Sequence, residues 1–307
     1  MNKELLDISR IVIMEKAKVY FTSKITPERV IDIFNALGVE LKGNVGVKVH
    51  SGEEGNQNFL RPAFLKPMID YVHGTVIECN TAYGGARNTT AKHKRLIAKH
   101  GWTELFPVDI MDENDNDVVV DIPNGTTIKK DYLGEHINRY DSILVLSHFK
   151  GHPMGGFGGA LKQLSIGFAS SRGKAYIHSA GRTTDQYNLW NDLPPQNDFL
   201  ASMADAASGV HNRFKGNIAY VSLMVNMSVD CDCCAVAEDP CLKDIGILAS
   251  TDPVAIDQAC IDLVKQSKDI GRDHFMERVN SRNGTYIFEV TDRLELGSRD
   301  YELISID

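Results

Sequence analysis

Two stretches of the chain hold residue types that can do chemistry. The first, Ser147 to Gly181, reads SHFKGHPMGGFGGALKQLSIGFASSRGKAYIHSAG. From His148 through Thr184 it has no Asp or Glu, although the whole chain carries 41 acids against 33 bases and a formal net charge of −8. Lys150, Lys162, Arg172, Lys174 and Arg182 stand there with His148, His152 and His178. Gly155, Gly156, Gly158 and Gly159 leave backbone N–H groups open and permit positive φ. Leu161 onward can begin a helix. Amide dipoles, a helix start and several cations together predict a site for a small anion: a carboxylate, a phosphate or a nucleotide. No phosphate-loop or dinucleotide fingerprint fits, because Leu161 stands where a third glycine is needed. A flexible glycine turn is the competing reading.

The second stretch is VDCDCCAVAEDPC, Val229 to Cys241, which holds Cys231, Cys233, Cys234 and Cys241, four of the six cysteines. Thiolates bind zinc, iron and iron–sulfur clusters, but this spacing matches neither a zinc ribbon nor a ferredoxin. Three readings stay open. One is a metal ion (zinc or iron) or an iron–sulfur cluster, completed by His148 or His152. Another is a thiol redox or nucleophilic role, and the third is a buried structural loop. Asp230 and Asp232 are expected to raise the neighbouring thiol pKa values, against a free nucleophile; a bound cation would reverse that. His148 and His152 stand four apart, but Gly151 and Pro153 predict a loop between them rather than a helix. Cys79 and Cys260 read as small core residues.

Apolar runs alternating with amphipathic segments position these residues. The pattern predicts an α/β fold with a largely parallel central sheet flanked by helices, within one domain spanning 1–307; a division into two lobes near 140–150 is left open. Thr26-Pro27 reads as a cap and first helical residue for a helix closed by Gly38. Further helices are expected over Pro62–His73 and Thr90–His100, and after Thr251-Asp252-Pro253. Strands are expected at 45–49, 75–79, 143–146, 218–225 and 245–249. His50, Asn80, His148 and Cys231 each follow such a strand, and the carboxyl ends of parallel strands are where ligands bind. Lys48, His50, Glu53 and Glu54 form one group at that edge; Glu78, Asn80, Tyr83 and Arg87 form another. Either can supply an acid, a base or a substrate clamp. The acidic run Asp112 to Asp117 reads as an exposed turn.

Composition narrows the class. With 43% hydrophobic residues there is ample material for a core. No apolar run approaches the roughly 20 residues of a membrane span, and the charged N-terminus does not read as a signal peptide. The acidic balance argues against nucleic acid as a partner. A cytoplasmic protein is expected.

The segments VGVKVHSGEEGN, ECNTAYGG, LSHFKGHPMGGFGGALKQLSIG, GKAYIHSAG and CDC…DIGILASTDPVAIDQA resemble the DUF362 family of iron–sulfur-associated proteins, over about residues 45 to 265. Many relatives carry a ferredoxin-like insert with paired cysteine motifs; here no cysteine occurs between His178 and Cys231. A pair of electron-transfer clusters is therefore not implied. The resemblance implies a pocket formed by His148, Lys150, His152, Lys162, Lys174 and His178, with Cys231 and Cys233 as candidate ligands.

The leading expectation is a metal- or iron–sulfur-dependent enzyme, redox in character, acting on a small anionic substrate, with an electron-transfer partner where the chemistry needs one. His148, His152, Cys231, Cys233, Cys234 and Cys241 are the candidate metal ligands. The anion falls to Lys48, Asn80, Gly156, Gly158, Gly159, Lys162, Lys174 and His178. His50, His148 and Lys150 are the candidate catalytic groups. The alternatives are a metal-free lyase or isomerase, with His50 or His148 as base and a lysine on the oxyanion, and a non-enzymatic metal or iron–sulfur carrier.

Overall fold

A computed structural model describes residues 16–307. The N-terminal stretch read above against a signal peptide lies outside the described residues. Twelve strands and nine helices follow in the described chain. The strands are β1 (Ala17–Thr22), β2 (Val45–Lys48), β3 (Thr75–Glu78), β4 (Val108–Ile110), β5 (Asp117–Asp121), β6 (Lys130–Gly134), β7 (Ser142–His148), β8 (Lys150–His152), β9 (Gly156–Gly158), β10 (Ile218–Met224), β11 (Gly246–Ser250) and β12 (Tyr301–Ser305). The helices are α1 (Pro27–Ala36), α2 (Pro62–Tyr71), α3 (Thr90–Lys99), α4 (Ala160–Lys162), α5 (Ser171–His178), α6 (Gln196–Arg213), α7 (Pro253–Gln266), α8 (Arg272–Ser281) and α9 (Tyr286–Arg293).

Eight strands form one sheet in the order β12-β1-β11-β10-β7-β2-β3-β4. Every neighbouring pair is parallel except the two that involve β11. The expected largely parallel α/β sheet is therefore present. Strand β7 is buried at all seven residues, as an interior parallel strand covered on both faces must be. The stretch near 140–150, where a division into lobes is left open above, contains this strand, flanked by β10 and β2. Chain order reverses between β2 and β7: β3 and β4 lie beyond β2 on one side, and β7 begins on the other. Such a switch point opens a crevice at the carboxyl ends of the strands.

Two apolar layers cover the sheet. One packs Val30, Ile33 and Phe34 of α1 and Leu65, Met68 and Ile69 of α2 against Val47, Leu144, Leu146 and Val221. The other packs α6, α7 and the segment after β9 against Ile143, Val145, Tyr220 and Leu248. Each fully buried Leu or Met contributes about 1.5–3 kcal/mol. Caps fall where the sequence places them. The Thr26 side chain accepts from Arg29 N with Pro27 in the first turn, and the Asp252 carboxylate accepts from Val254 N and Ala255 N at the start of α7.

Two local expectations change. Lys150–His152 is not loop: it pairs antiparallel with Gly156–Gly158 as a hairpin. Gly151 explains why it lies there. A Cβ at Gly151 would come within 2.3 Å of Val229 O, and Gly151 N donates to Ser228 O at 2.8 Å. Only glycine lets the hairpin press onto the strand-to-cysteine connection. The helix after Gly159 is a single α turn, Ala160–Lys162, that widens into a π-helical turn, Gln163–Gly167; such turns recur at functional sites. In the acidic run, Asp112 is buried, accepting from Asn80 N and Ser171 N. Among the described residues no helix is long and apolar enough to cross a membrane.

Candidate functional site

The hairpin and the cysteine turn meet at the carboxyl edge of the sheet. His152 Nε2 lies 3.8 Å from Cys233 Sγ, and the ligand atoms of His152, Cys231 and Cys233 all lie within 4.8 Å of one another. Metal–sulfur bonds of about 2.3 Å and metal–nitrogen bonds of about 2.0 Å give a tetrahedral edge of roughly 3.6–3.8 Å. The His152–Cys233 separation matches that edge and the donor types suit one ion, so these three residues could hold a metal.

Asp232, between the two thiols, anchors the turn. It is buried, and its carboxylate lies 2.9 Å from Lys150 Nζ and 2.9 Å from His148 Nδ1. His148 Nε2 lies 2.6 Å from the Val225 carbonyl. Both His148 nitrogens therefore face oxygens of the protein, and His148 stands outside the three-residue group. His148 and Lys150 are thus corrected from ligand and catalytic candidates to supports of the cysteine turn. Asn56 Nδ2 adds bonds to the carbonyls of Cys231 and Cys234.

Cys231 sits among hydrogen-bond donors. Lys162 Nζ approaches its Sγ at 3.8 Å and Cys233 N at 3.5 Å, and His50 and His152 both hydrogen-bond to it. Burial opposes its ionisation, but the Cys233 thiol, Lys162, Lys150 and His152 together hold its pKa well below the usual thiol value. The expected elevation by Asp230 and Asp232 does not prevail at Cys231, since Arg278 pairs with Asp230 while Lys150 and His148 take Asp232. Cys233 moves the other way, pushed up by its bond to Cys231 and by burial. The half-exposed Cys234 bonds to Cys233 and stands outside the three-residue group. Cys241 is a correction: its Sγ turns to Met227 O at 3.6 Å, packed against the core.

Beside Cys233 opens a cavity of about 60 Å³, with space for a few waters or a very small ligand. Lys48, His50, Arg87, Lys162, Lys174 and His178 line it together with Gln163. Lys48 pairs with Glu78 at 2.5 Å, and Arg87 with Glu53 at 3.1 Å, all four buried. Burial and Arg87 lower the His50 pKa to about 4, and burial lowers that of His178 to about 4. Both rings are neutral near pH 7. Tyr83 and Cys233 also border an open cleft of about 840 Å³, lined by Lys92, Arg95 and Lys99 of α3.

The glycines do not form the expected anion cradle. Gly156 packs on Val279 and Gly284, and Gly158 lies against the stems of Lys162 and Lys150. Gly159 lies against Asp257, whose two oxygens accept from Ala160 N and Leu161 N at 2.8 and 2.9 Å. The amides at the helix start are taken by a side chain of the protein. Asn80 is likewise internal, bonded to Thr90, Asp112 and His93. Of the expected anion ligands, Lys48, Lys162, Lys174 and His178 reach the cavity. Asp257, Gln163 and the anchoring role of Asp232 escaped sequence reasoning; the Asp in DPVAIDQA had no partner to suggest one.

With this geometry in hand, the family model described as a domain of unknown function, DUF362, matches residues 45–262. The chain belongs to the DUF362 family. That span contains the sheet switch point, the hairpin, the cysteine turn and the start of α7. No curated protein matches this DUF362 chain. Among solved structures, the lactate racemase apoprotein from Thermoanaerobacterium thermosaccharolyticum is 16% identical with a TM-score of 0.40, over 67% of this chain and 50% of that one. A Thermotoga maritima protein is 8% identical with a TM-score of 0.42, over 83% of this chain and 58% of that one. The chain thus spans about half of the one structure and 58% of the other. At these TM-scores neither likeness bears on the chemistry.

Proposed function

We propose that this protein is a metal-dependent enzyme that acts on a small anion in the cavity beside Cys233. The observation carrying the reading is the placement of His152, Cys231 and Cys233 within 4.8 Å of one another next to a cation-lined cavity. Two thiolates and an imidazole suit zinc or iron. Three protein ligands leave a position for substrate, as catalytic rather than structural sites do. The bound ion would supply Lewis-acid polarisation or one-electron exchange. Lys162 and Lys174 attract and orient the anion, while Leu189 and Trp190 narrow its entrance against water. Burial of His152 and Cys231 favours an enzyme over a carrier, which needs an accessible site for transfer to a partner.

Elemental analysis of anaerobically purified protein tests this reading. About one zinc or iron per chain supports it; acid-labile sulfide with brown colour supports a cluster instead. Protein without metal removes it.

A second reading is favoured by the histidine hydrogen bonds. His152 Nδ1 accepts from Gly155 N at 2.8 Å, and His50 Nδ1 accepts from Gly52 N at 3.1 Å. A neutral ring that accepts at Nδ1 carries its hydrogen on Nε2, which turns both rings into donors toward Cys231. A metal ligated through Nε2 would have to displace that hydrogen. Without metal, the same residues form a donor cage around a Cys231 thiolate, with Cys233 as the adjacent thiol of a redox pair. Thiolate ultraviolet absorbance at neutral pH in metal-free protein, lost in Cys231→Ser, is the outcome this reading expects.

A further inference from the structure

We infer that the cavity beside Cys233 binds a short monocarboxylic acid, its carboxylate held by Lys174 Nζ and Gln163 Nε2 and its hydrocarbon part set against Ile166, Leu189 and Trp190. The inference deepens the proposed function, because it takes the cavity to be the substrate chamber of that site.

Charge comes first. The cavity wall carries four cationic side chains, Lys48, Arg87, Lys162 and Lys174. Glu78 answers Lys48 and Glu53 answers Arg87, while Lys162 Nζ lies 3.8 Å from Cys231 Sγ. Lys174, also buried, donates to the Ala169 carbonyl at 2.6 Å and forms no ion pair among the described residues. Asp112 and Asp131 both feel its charge, and Asp112 also accepts from Asn80 N and Ser171 N. Lys174 thus has carboxylates nearby but none in direct contact among the described residues, and a monoanion in the cavity would supply that contact.

The second observation is independent of charge. Gln163 is 7% exposed and lines the cavity, and its Nε2 is buried with no partner. A buried amide donor without an acceptor costs about 1–3 kcal/mol, so its partner is expected to arrive with the ligand. Lys174 and Gln163 both line this cavity, and an ammonium with an amide N–H suits the two oxygens of a carboxylate.

Size and the remaining wall set the rest of the molecule. About 60 Å³ admits a handful of heavy atoms and excludes a nucleotide or a sugar phosphate. Ala82, Ile166, Leu189 and Trp190 provide an apolar side. Gly167 keeps the space open, since a Cβ there would fall 2.8 Å from both Gln163 Oε1 and Lys48 Cε.

Thermal-shift and calorimetric titrations with propionate, propionamide, malonate and inorganic phosphate test the inference, on protein as purified and after chelation. Propionate is expected to bind and raise the melting temperature, the neutral isostere propionamide to do neither, and malonate and phosphate to bind at least tenfold more weakly. Lys174→Met and Gln163→Leu should each weaken propionate by about tenfold or more, from the loss of a charge-assisted hydrogen bond. If Lys174→Met does not fold, Gln163→Leu and Gly167→Ala still decide, the latter by filling the cavity. Equal binding of propionamide, preference for phosphate or malonate, or unchanged affinity in Gln163→Leu would overturn the inference. Propionate binding that survives chelation supports it even where the metal reading falls. Metal retained in protein that does not bind propionate overturns it alone.

Discussion

Lys150 Nζ lies 2.9 Å from Asp232 Oδ2, and both side chains are buried. Two segments that are distant in sequence are thereby locked: the hairpin carrying His152 and the turn carrying Cys231 and Cys233. His148 completes the support at the other carboxylate oxygen. Lys150 and His148 here hold the cysteine turn through Asp232.

Asp232→Asn follows directly. It leaves Lys150 buried without a counter-charge, a loss of about 3–5 kcal/mol, and loosens the support of the metal ligands, which weakens metal affinity by about 10- to 100-fold. Chemical denaturation and competition with a chelator measure the two effects. An unchanged metal affinity would detach the anchor from the site.

The cysteines separate by role. Cys231→Ser with Cys233→Ser should abolish metal retention in a folded protein, whereas Cys241→Ser should retain full metal, since its sulfur faces Met227 O. Metal content beside a circular dichroism spectrum reads both. Metal lost in Cys241→Ser alone would place the ion elsewhere.

How far the sequence reaches is seen in these same residues. Strand and helix positions were legible because apolar periodicity, Thr26-Pro27 and Asp252-Pro253 act locally. The carboxyl-edge residues were legible because His50, Asn80 and His148 stand at or just past the ends of their strands and Cys231 follows β10 after a short gap. The division of labour between His148 and His152 was not, because it depends on Asp232, 84 residues from His148. The hairpin was hidden for a similar reason: the fit of Gly151 against Val229 is a tertiary contact. The anion loop failed because Asp257, 97 residues away, occupies the amide of Ala160.

Gly151→Ala should show how tight that contact is. Its Cβ would meet the Val229 backbone at 2.3 Å, where no side-chain rotation gives relief. The hairpin must shift, and His152 moves away from the thiols. A fall of more than about 2 kcal/mol in stability, typical of overpacking, with weakened metal binding is expected. A variant with native stability and metal content would contradict the packing argument.

Asp257 gives a pH signature. Burial raises its pKa from 3.8 to about 7. An acid with a raised folded-state value binds more protons folded than unfolded, so its contribution is full below about pH 4 and is lost as pH rises through about 7. Asp257→Asn stays neutral throughout. The wild type should therefore lose a few kcal/mol relative to the variant between those limits, measured by denaturation at each pH. Parallel stability profiles would show that the carboxyl is not buried in this way.

The account stands on His152, Cys231 and Cys233 sharing one ion. X-ray absorption at the metal edge of zinc- or iron-loaded protein tests that most directly. Two sulfur ligands and one imidazole nitrogen are the expected shell; a shell of oxygen and nitrogen alone, or four sulfurs, would contradict it.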